Sequence, residues 1–254
     1  MGLQLSASGT RRISVARKPA RVRIGWFIAL SEGSSVYSEP TRVHLAKDES
    51  PTKRGWLSCP AVRSSVRGCF SVASPFGLKL RFSAFGDAVS FTPVYPATTL
   101  NEAKFSEMFR LEPRDSWRNE NFPLVQLPSP YVFVSDDHVE VEQLMPTVGD
   151  LTRLNWRLIP GRFNIYGWQR PLNWAFEWDI RNGDLTIRMG DPLYWVRFYD
   201  ESGALIEDPE IIPITPSPEL LERMRSFSGV TAIQRGTAKL INEAKKSRSK
   251  KFLD

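Results

Sequence analysis

The residues best suited to chemistry in this chain are Asp136-Asp137-His138-Val139-Glu140. On an extended strand His138 and Glu140 would share one face, as two ligands of a facial metal triad do. That arrangement would suit Fe or Mn and an oxygenase-like reaction. It needs another histidine, and the chain's other one, His44, lies upstream of the pair instead of well downstream. The plainer reading is an acidic surface turn with a solvated imidazole. Two histidines leave few ways to build a Ser-His-Asp or Cys-His site, and no GxSxG, P-loop or GxGxxG pattern occurs. The carboxylate pairs Asp136/Asp137 and Glu177/Asp179 match glycosidase residue types, but one sequence does not place two carboxyls across a cleft. The expectation is therefore a protein without catalysis and without a cofactor.

A second candidate lies in Tyr166-Gly167-Trp168-Gln169-Arg170-Pro171. Trp168 breaks the alternation of its neighbours and sits in a loop beside Arg170, so the pair reads as an exposed binding spot. The other tryptophans of the region, Trp174 and Trp178, keep period-2 phase with Phe176 and Ile180, which marks a core-facing row.

The elements that position these residues read as β throughout. Asn173 to Tyr199 predicts a meander. Trp174, Phe176, Trp178 and Ile180 go out, Asn182-Gly183 makes a type I′ turn, and Leu185, Ile187 and Met189 return. This register sets Ile180 against Leu185, Trp178 against Ile187 and Phe176 against Met189, with Glu177 facing Arg188. A slip by one residue would expose the tryptophans. Gly190-Asp191-Pro192 turns into a third strand, Leu193 to Tyr199.

Further strands are expected at Arg21–Leu30, Arg42–Lys47, Gly68–Ala73, Leu78–Phe85, Leu154–Ile159 and Arg162–Tyr166. Tyr131–Ser135 and Val139–Leu144 read as partners across Ser135-Asp136-Asp137-His138. Gly55–Val62 is left unassigned, and Phe85–Leu100, with two prolines and a glycine, reads as irregular. Asn101–Leu111 predicts a short helix with Phe105, Met108 and Phe109 on one face and Asn101 at its N-cap. Ser217 followed by Pro218 opens a helix to Phe227 with an apolar stripe of Leu220, Leu221, Met224 and Phe227. A basic helix follows from Val230 to about Lys246. Short strands about ten residues apart, separated by Pro and Gly, belong to a sandwich, jelly roll or barrel.

The chain has 254 residues, 41% hydrophobic residues and eight Trp, enough for a sizeable core. No apolar run approaches the ~20 residues of a membrane span, and no signal-like h-region is seen, so a cytoplasmic protein with no membrane partner is expected. Cys59 and Cys69 are too few for a disulfide framework; a single bridge between them and two free thiols are both open, with reduced thiols favoured.

Net charge is +6, and its distribution is uneven. Residues 1–23 contribute +6 through Arg11, Arg12, Arg17, Lys18, Arg21 and Arg23. Residues 231–254 contribute +5, through a set that includes Lys245, Lys246, Arg248, Lys250 and Lys251. The middle of the chain carries −5. Two basic ends on a mildly acidic body imply an acidic partner, either another protein or an acidic surface. Nucleic acid is the sharper version of that partner, but no aromatic residues interleave the basic ones as a stacking platform would. The organisation expected is a flexible basic arm over 1–20, a β domain over 21–212 and a basic helical tail over 213–254.

Cys59-Pro60, Gly68, Ser74-Pro75-Phe76, Pro130-Tyr131, Ile159-Pro160-Gly161, Arg170-Pro171 and Gly190-Asp191-Pro192-Leu193 follow one another in an order that resembles an uncharacterised family of tailed phages and bacteria. The resemblance covers about residues 55–200. It implies a cupin-like, double-stranded β-helix fold, a phage-encoded protein acting in the host cytoplasm or virion, and no established activity. Cupin enzymes hold a metal through clustered histidines, and this chain departs from that pattern. The leading expectation is a non-catalytic binding or assembly protein that could form a homo-oligomer. The alternatives are an oxygenase-like cupin using His138 and Glu140, and a nucleic-acid accessory protein acting through its ends.

Overall fold

The computed structural model describes residues 21–29, 37–45, 55, 58–85, 88–148, 154–227, 243, 246 and 251–253. The strands in chain order are β1 (Arg23–Ile28), β2 (Thr41–Arg42), β3 (Phe70–Ala73), β4 (Leu78–Phe85), β5 (Ala88–Pro93), β6 (Arg110–Leu111), β7 (Leu124–Val134), β8 (Glu140–Leu144), β9 (Trp156–Leu158), β10 (Gly161–Asn164), β11 (Pro171–Trp178), β12 (Leu185–Ile187), β13 (Pro192–Tyr199) and β14 (Glu210–Pro213). Three helices are described: α1 (Pro60–Ser65), α2 (Glu102–Met108) and α3 (Pro218–Phe227). The protein is built mainly of β-sheet, as its strand spacing implies.

One sheet has the order β14-β1-β7-β11-β9, with β6 also on β7; a second has β10-β8-β13-β3-β2; a third has β12-β4-β5. The pairings nest. β3 lies on β13, β4 on β12, β7 on β11 and β8 on β10, all antiparallel. The chain thus forms one long two-stranded ribbon that reverses between β8 and β10. Successive pairs of that ribbon fall in different sheets, so the ribbon winds around a shared interior.

The interior joins all three sheets. Ile24, Trp26, Leu127, Phe133, Trp174, Phe176 and Trp178 from the first sheet meet Val72, Val141, Tyr194, Val196 and Phe198 from the second, and Leu78, Leu80, Leu185 and Ile187 from the third. Phe133 touches Phe198 edge-on at 5.6 Å, and Ser129 Oγ lies 2.7 Å from the Tyr194 hydroxyl, fixing first sheet to second. Phe82 meets Trp178 edge-on at 6.0 Å, fixing third to first. Trp174, Phe176 and Trp178 are fully enclosed, in the phase the alternation requires.

Their strand partners differ from the expected meander. β11 pairs with β7 and β9, and β12 pairs with β4. Ile180–Asn182 is a 3-10 turn whose first N–H groups are met by Asp179: its carboxylate accepts from the Arg181 N–H and from the Arg181 guanidinium. Asn182 has no positive φ; Gly183 alone takes one, at 83°, so a type I′ turn is not formed. The Gly183 carbonyl accepts from Trp178 Nε1, which closes the end of β11 onto the turn. Glu177 pairs with Arg118 instead of Arg188, and Met189 is 64% exposed. Trp174, Phe176, Trp178, Leu185 and Ile187 are buried as the alternation implies, whereas Ile180 falls in the turn and Met189 in solvent; the burial of each row is supplied by strands distant in sequence.

The same reason corrects a second expected hairpin. β7 and β8 are consecutive but lie in different sheets, and residues 135–139 carry the chain from one to the other. Four elements were not foreseen: β6, which takes the end of the expected Asn101–Leu111 helix, β14, β5 and α1. The 88–93 stretch is strand β5, paired with β4 from Leu80↔Pro93 to Phe85↔Ala88, and Pro60 opens α1. α2 packs by stacking Phe105 on Phe109 at 4.9 Å, with Phe91 against both rings. β1 and β14 form a parallel pair at the sheet edge.

α3 begins as expected. Ser217 Oγ accepts from the Leu220 N–H at 3.2 Å and its carbonyl accepts from the Leu221 N–H at 3.0 Å. Leu220, Leu221 and Met224 pack with Phe27, Val132 and Val134 on the outer face of the first sheet. The remaining stripe residue, the Phe227 side chain, lies outside the described set, as do the arm over 1–20 and most of the helix expected from Val230. No described helix is long and apolar enough to cross a membrane.

Candidate functional site

His138 is an exposed residue in the bend before β8, which starts only at Glu140. The shared-face argument required both on the strand, and the structure does not supply that. The His138 ring lies 4.0 Å from the Tyr166 ring, while the Glu140 carboxylate pairs with Arg162 at 2.6 Å. His44 is exposed just after β2. Among the described residues no three of His, Cys, Asp or Glu gather into a metal-holding group.

Glu140 belongs instead to a polar cluster on the outer face of the second sheet. The register places Arg162 beside Glu142, Arg197 beside Glu142 and Tyr199 beside Glu140. Glu142 Oε2 accepts from Arg197 Nε at 2.8 Å and from the Tyr199 hydroxyl at 2.6 Å. The Arg162 guanidinium lies over the Tyr199 ring at 4.0 Å. Burial works to raise the Glu142 carboxyl, but the hydrogen bonds from Tyr199 and Arg197 outweigh it and hold it below the usual range. Burial and the carboxylate acceptor together push the Tyr199 phenol up to about 12. Each acid therefore has its cation, and the phenol is held protonated. The cluster stitches β10, β8 and β13 together.

Trp168 is 8% exposed, so the expected surface tryptophan is a covered one. It meets Phe163 edge-on at 6.2 Å, and Arg170 stacks on it at 4.8 Å. The loop folds back because its centre is a structural amide. Gln169, fully buried, donates to the carbonyls of Ile165 and Tyr166, and its oxygen accepts from Arg223 of α3 at 2.8 Å. Burial draws the Arg170 guanidinium below its usual range. Gln169 and the Gly167 carbonyl thus hold Arg223 of α3 against the loop, with Trp168 covered and Arg170 half-buried over it.

Of the carboxylate pairs, Asp136 accepts backbone N–H groups from Phe252 and Leu253, and Glu177 is engaged by Arg118. Cys69 is buried beneath α1 and Cys59 is exposed; neither is paired, and burial pushes the Cys69 thiol up. Among the basic residues of the ends, Lys246 and Lys251 are exposed, while Arg11, Arg12, Arg17, Lys18, Lys245, Arg248 and Lys250 lie outside the described residues.

What the sequence reading missed is the β4–β5 arm. Along β4 the side chains change from enclosed at Leu78 and Leu80 to exposed on both faces from Ser83 to Phe85. Phe85, near the tip, is 91% exposed, the largest value among the large apolar side chains of the described residues. β5 (Ala-Val-Ser-Phe-Thr-Pro) carries no charge, and among the described strands it pairs with β4 alone. Its outward groups follow from the register. The Val94 N–H donates to the Lys79 carbonyl, so residues 92, 90 and 88 turn their backbone groups toward β4. Val89 and Phe91 turn theirs away. The signal for this in the sequence is the loss of large apolar residues from the inward phase of β4 after Phe82, together with the uncharged run that follows.

No protein-family model matches the chain, and no curated protein matches it.

Proposed function

We propose that this is a non-catalytic assembly protein on a jelly-roll, double-stranded β-helix frame, and that it self-associates through the β4–β5 arm. The frame reading is supported by the nested pairs β3·β13, β7·β11 and β8·β10, wound so that consecutive strands exchange sheets. The assembly reading rests on one observation: an uncharged edge strand on an arm that leaves the body, capped by an exposed Phe85. Natural edges are normally guarded by charge, by proline, by covering or by extreme shortness; β5 carries no charge, its one proline stands at its end, Pro93, and among the described strands none covers the outward groups of Val89 and Phe91. The basic ends, outside the arm, would meet an acidic protein or surface; a phage-encoded origin belongs to the same proposal.

Light scattering on the full chain tests it. The mass should exceed the 28.9 kDa of one chain and fall in Phe85→Asp. A monomeric wild type across the accessible concentration range would overturn the reading. For the basic ends, a labelled polyglutamate probe should bind with strong salt dependence, and replacing Arg11, Arg12, Arg17 and Lys18 by Ser should weaken it.

A further inference from the structure

The outer face of the first sheet holds a socket already filled by the chain's own end. Both carboxylate oxygens of Asp136 are used: Oδ1 accepts from the Phe252 N–H at 2.8 Å and Oδ2 from the Leu253 N–H at 2.9 Å. Leu253 is 7% exposed and packs with Phe27, Val132, Val134 and Leu220. The floor is Gly25, where an added Cβ would meet Leu253 Cδ2 at 2.5 Å. A side chain there would occupy the space the leucine takes. Phe252 rests half-buried on the same cluster, and Lys251 sits exposed at the rim beside Arg21, Arg23 and Asp137. Two backbone N–H groups, one apolar plug and one flat apolar flank define a ligand of definite chemistry, a short Phe-Leu segment entered from a basic stretch.

We propose that this socket is a docking site for the C-terminal segment of a second copy, which replaces the chain's own by exchange. Exchange of an identical segment keeps every contact and is a low-cost route to an assembly. Covalent reach permits it. Between Phe227 and Lys251 there are 24 residue steps, a span of roughly 36 Å for a continuous helix and roughly 80 Å for a fully extended chain. A domain of this length is roughly 45 Å across. The site is separate from the arm, and its contacts do not depend on the arm.

The test uses the full chain and a labelled peptide of residues 246–254. In Leu253→Asp the plug is lost and the socket is open, so the peptide should bind. Wild type should bind it about a hundredfold more weakly, because the attached segment competes at millimolar effective concentration. Adding Asp136→Ala to Leu253→Asp should abolish binding, and a peptide with Phe252 and Leu253 replaced by Ser should not bind. No binding to a cooperatively folded Leu253→Asp chain, or binding indifferent to Asp136→Ala, overturns the docking site. If Leu253→Asp does not fold, wild type serves: excess peptide should speed amide exchange at Phe252 and Leu253, and unchanged exchange overturns the proposal.

Exchange between copies is read separately in a Phe85→Asp background, which removes the arm contact. Leu253→Asp chains and Asp136→Ala chains should each be monomeric and should form a one-to-one complex when mixed. A mixture that stays monomeric overturns exchange, whatever the arm does.

Discussion

Strands β4 and β11 obey the same alternation and meet different fates. In β11, Leu172, Trp174, Phe176 and Trp178 are enclosed to the last residue, because sheets from elsewhere in the chain cover the whole strand. In β4 enclosure stops at Leu80, Phe82 is half-covered by Trp117 and Trp178, and the rest stands in water. Alternation is a property of the strand, whereas burial is a property of what lies opposite. β11 spends its apolar row on holding the fold. Beyond Phe82 the outer half of β4 contributes little to the core, and its partner β5 is anchored through Phe91, which packs on Phe105 and Phe109, while Ser83, Ala84, Phe85 and Ser90 stand in water.

The sharpest way to break this contrast is at the enclosed end. Trp178→Ala should cost about 3–5 kcal/mol, since a large buried ring is lost and its surroundings relax only in part. Phe85→Ala should change stability by no more than about 0.5 kcal/mol. Urea unfolding followed by circular dichroism measures both. Equal losses would mean that the arm is packed against the body after all.

The next effect lies where the two main sheets are bolted. Ser129→Ala strands the fully buried Tyr194 hydroxyl, at a cost of about 1–3 kcal/mol for an unmet polar group. Removing both polar groups, as in Ser129→Ala with Tyr194→Phe, should cost less than the single change. If the double variant is the less stable of the two, the hydrogen bond is not what the pair contributes.

A smaller effect depends on pH. Tyr131, raised mainly by burial, and Tyr199, raised by burial and by the Glu142 acceptor, both sit at about 12 in the folded chain. An unfolded phenol titrates near ~10. The folded state therefore keeps protons that the unfolded state has released, and stability falls as pH rises from about 10 through about 12. Glu142 acts at the other end: its lowered pKa gives stability that is present above the unfolded value and lost as pH falls through the folded one. Tyr199→Phe should flatten part of the alkaline loss and raise the Glu142 pKa by removing one donor. Urea midpoints across the pH range, with the Glu142 carboxyl followed by NMR, check both.

These contrasts also show which parts of the molecule could be read from its sequence. The enclosed rows, the Ser217 cap of α3 and the Phe105/Phe109 face of α2 are local patterns, and each is present. Strand partners are not local. Asn182-Gly183 resembles a hairpin turn, but Leu185 and Ile187 are claimed by Leu80 and Leu78 about a hundred residues earlier in the sequence. Trp168 looked exposed because it breaks phase, yet the buried Gln169 amide and Arg223 of α3 pull its loop down, and no nearby residue announces Arg223. His138 and Glu140 kept their spacing in sequence but do not share a strand face, because His138 lies in the bend and the strand begins only at Glu140. The site signals that failed were all arguments from spacing; the arm, which no motif marks, is visible as a thinning of apolar residues along β4.

The finest discrimination is at Ser90. If two copies pair antiparallel along β5, the outward groups of Val89 and Phe91 exchange hydrogen bonds with Phe91 and Val89 of the second copy. That register places the two-fold axis at Ser90, so each Ser90 faces its counterpart. The residue is exposed and its side chain makes no core contact, so Ser90→Lys and Ser90→Glu should each leave stability within about 0.5 kcal/mol of wild type. Each alone should weaken assembly, because like charges are set directly opposite. An equimolar mixture should assemble again, with lysine facing glutamate across the axis. Light scattering of the three samples reads the outcome. If both variants assemble like wild type, the contact is not along β5; if the mixture stays monomeric, the pairing is not centred on Ser90.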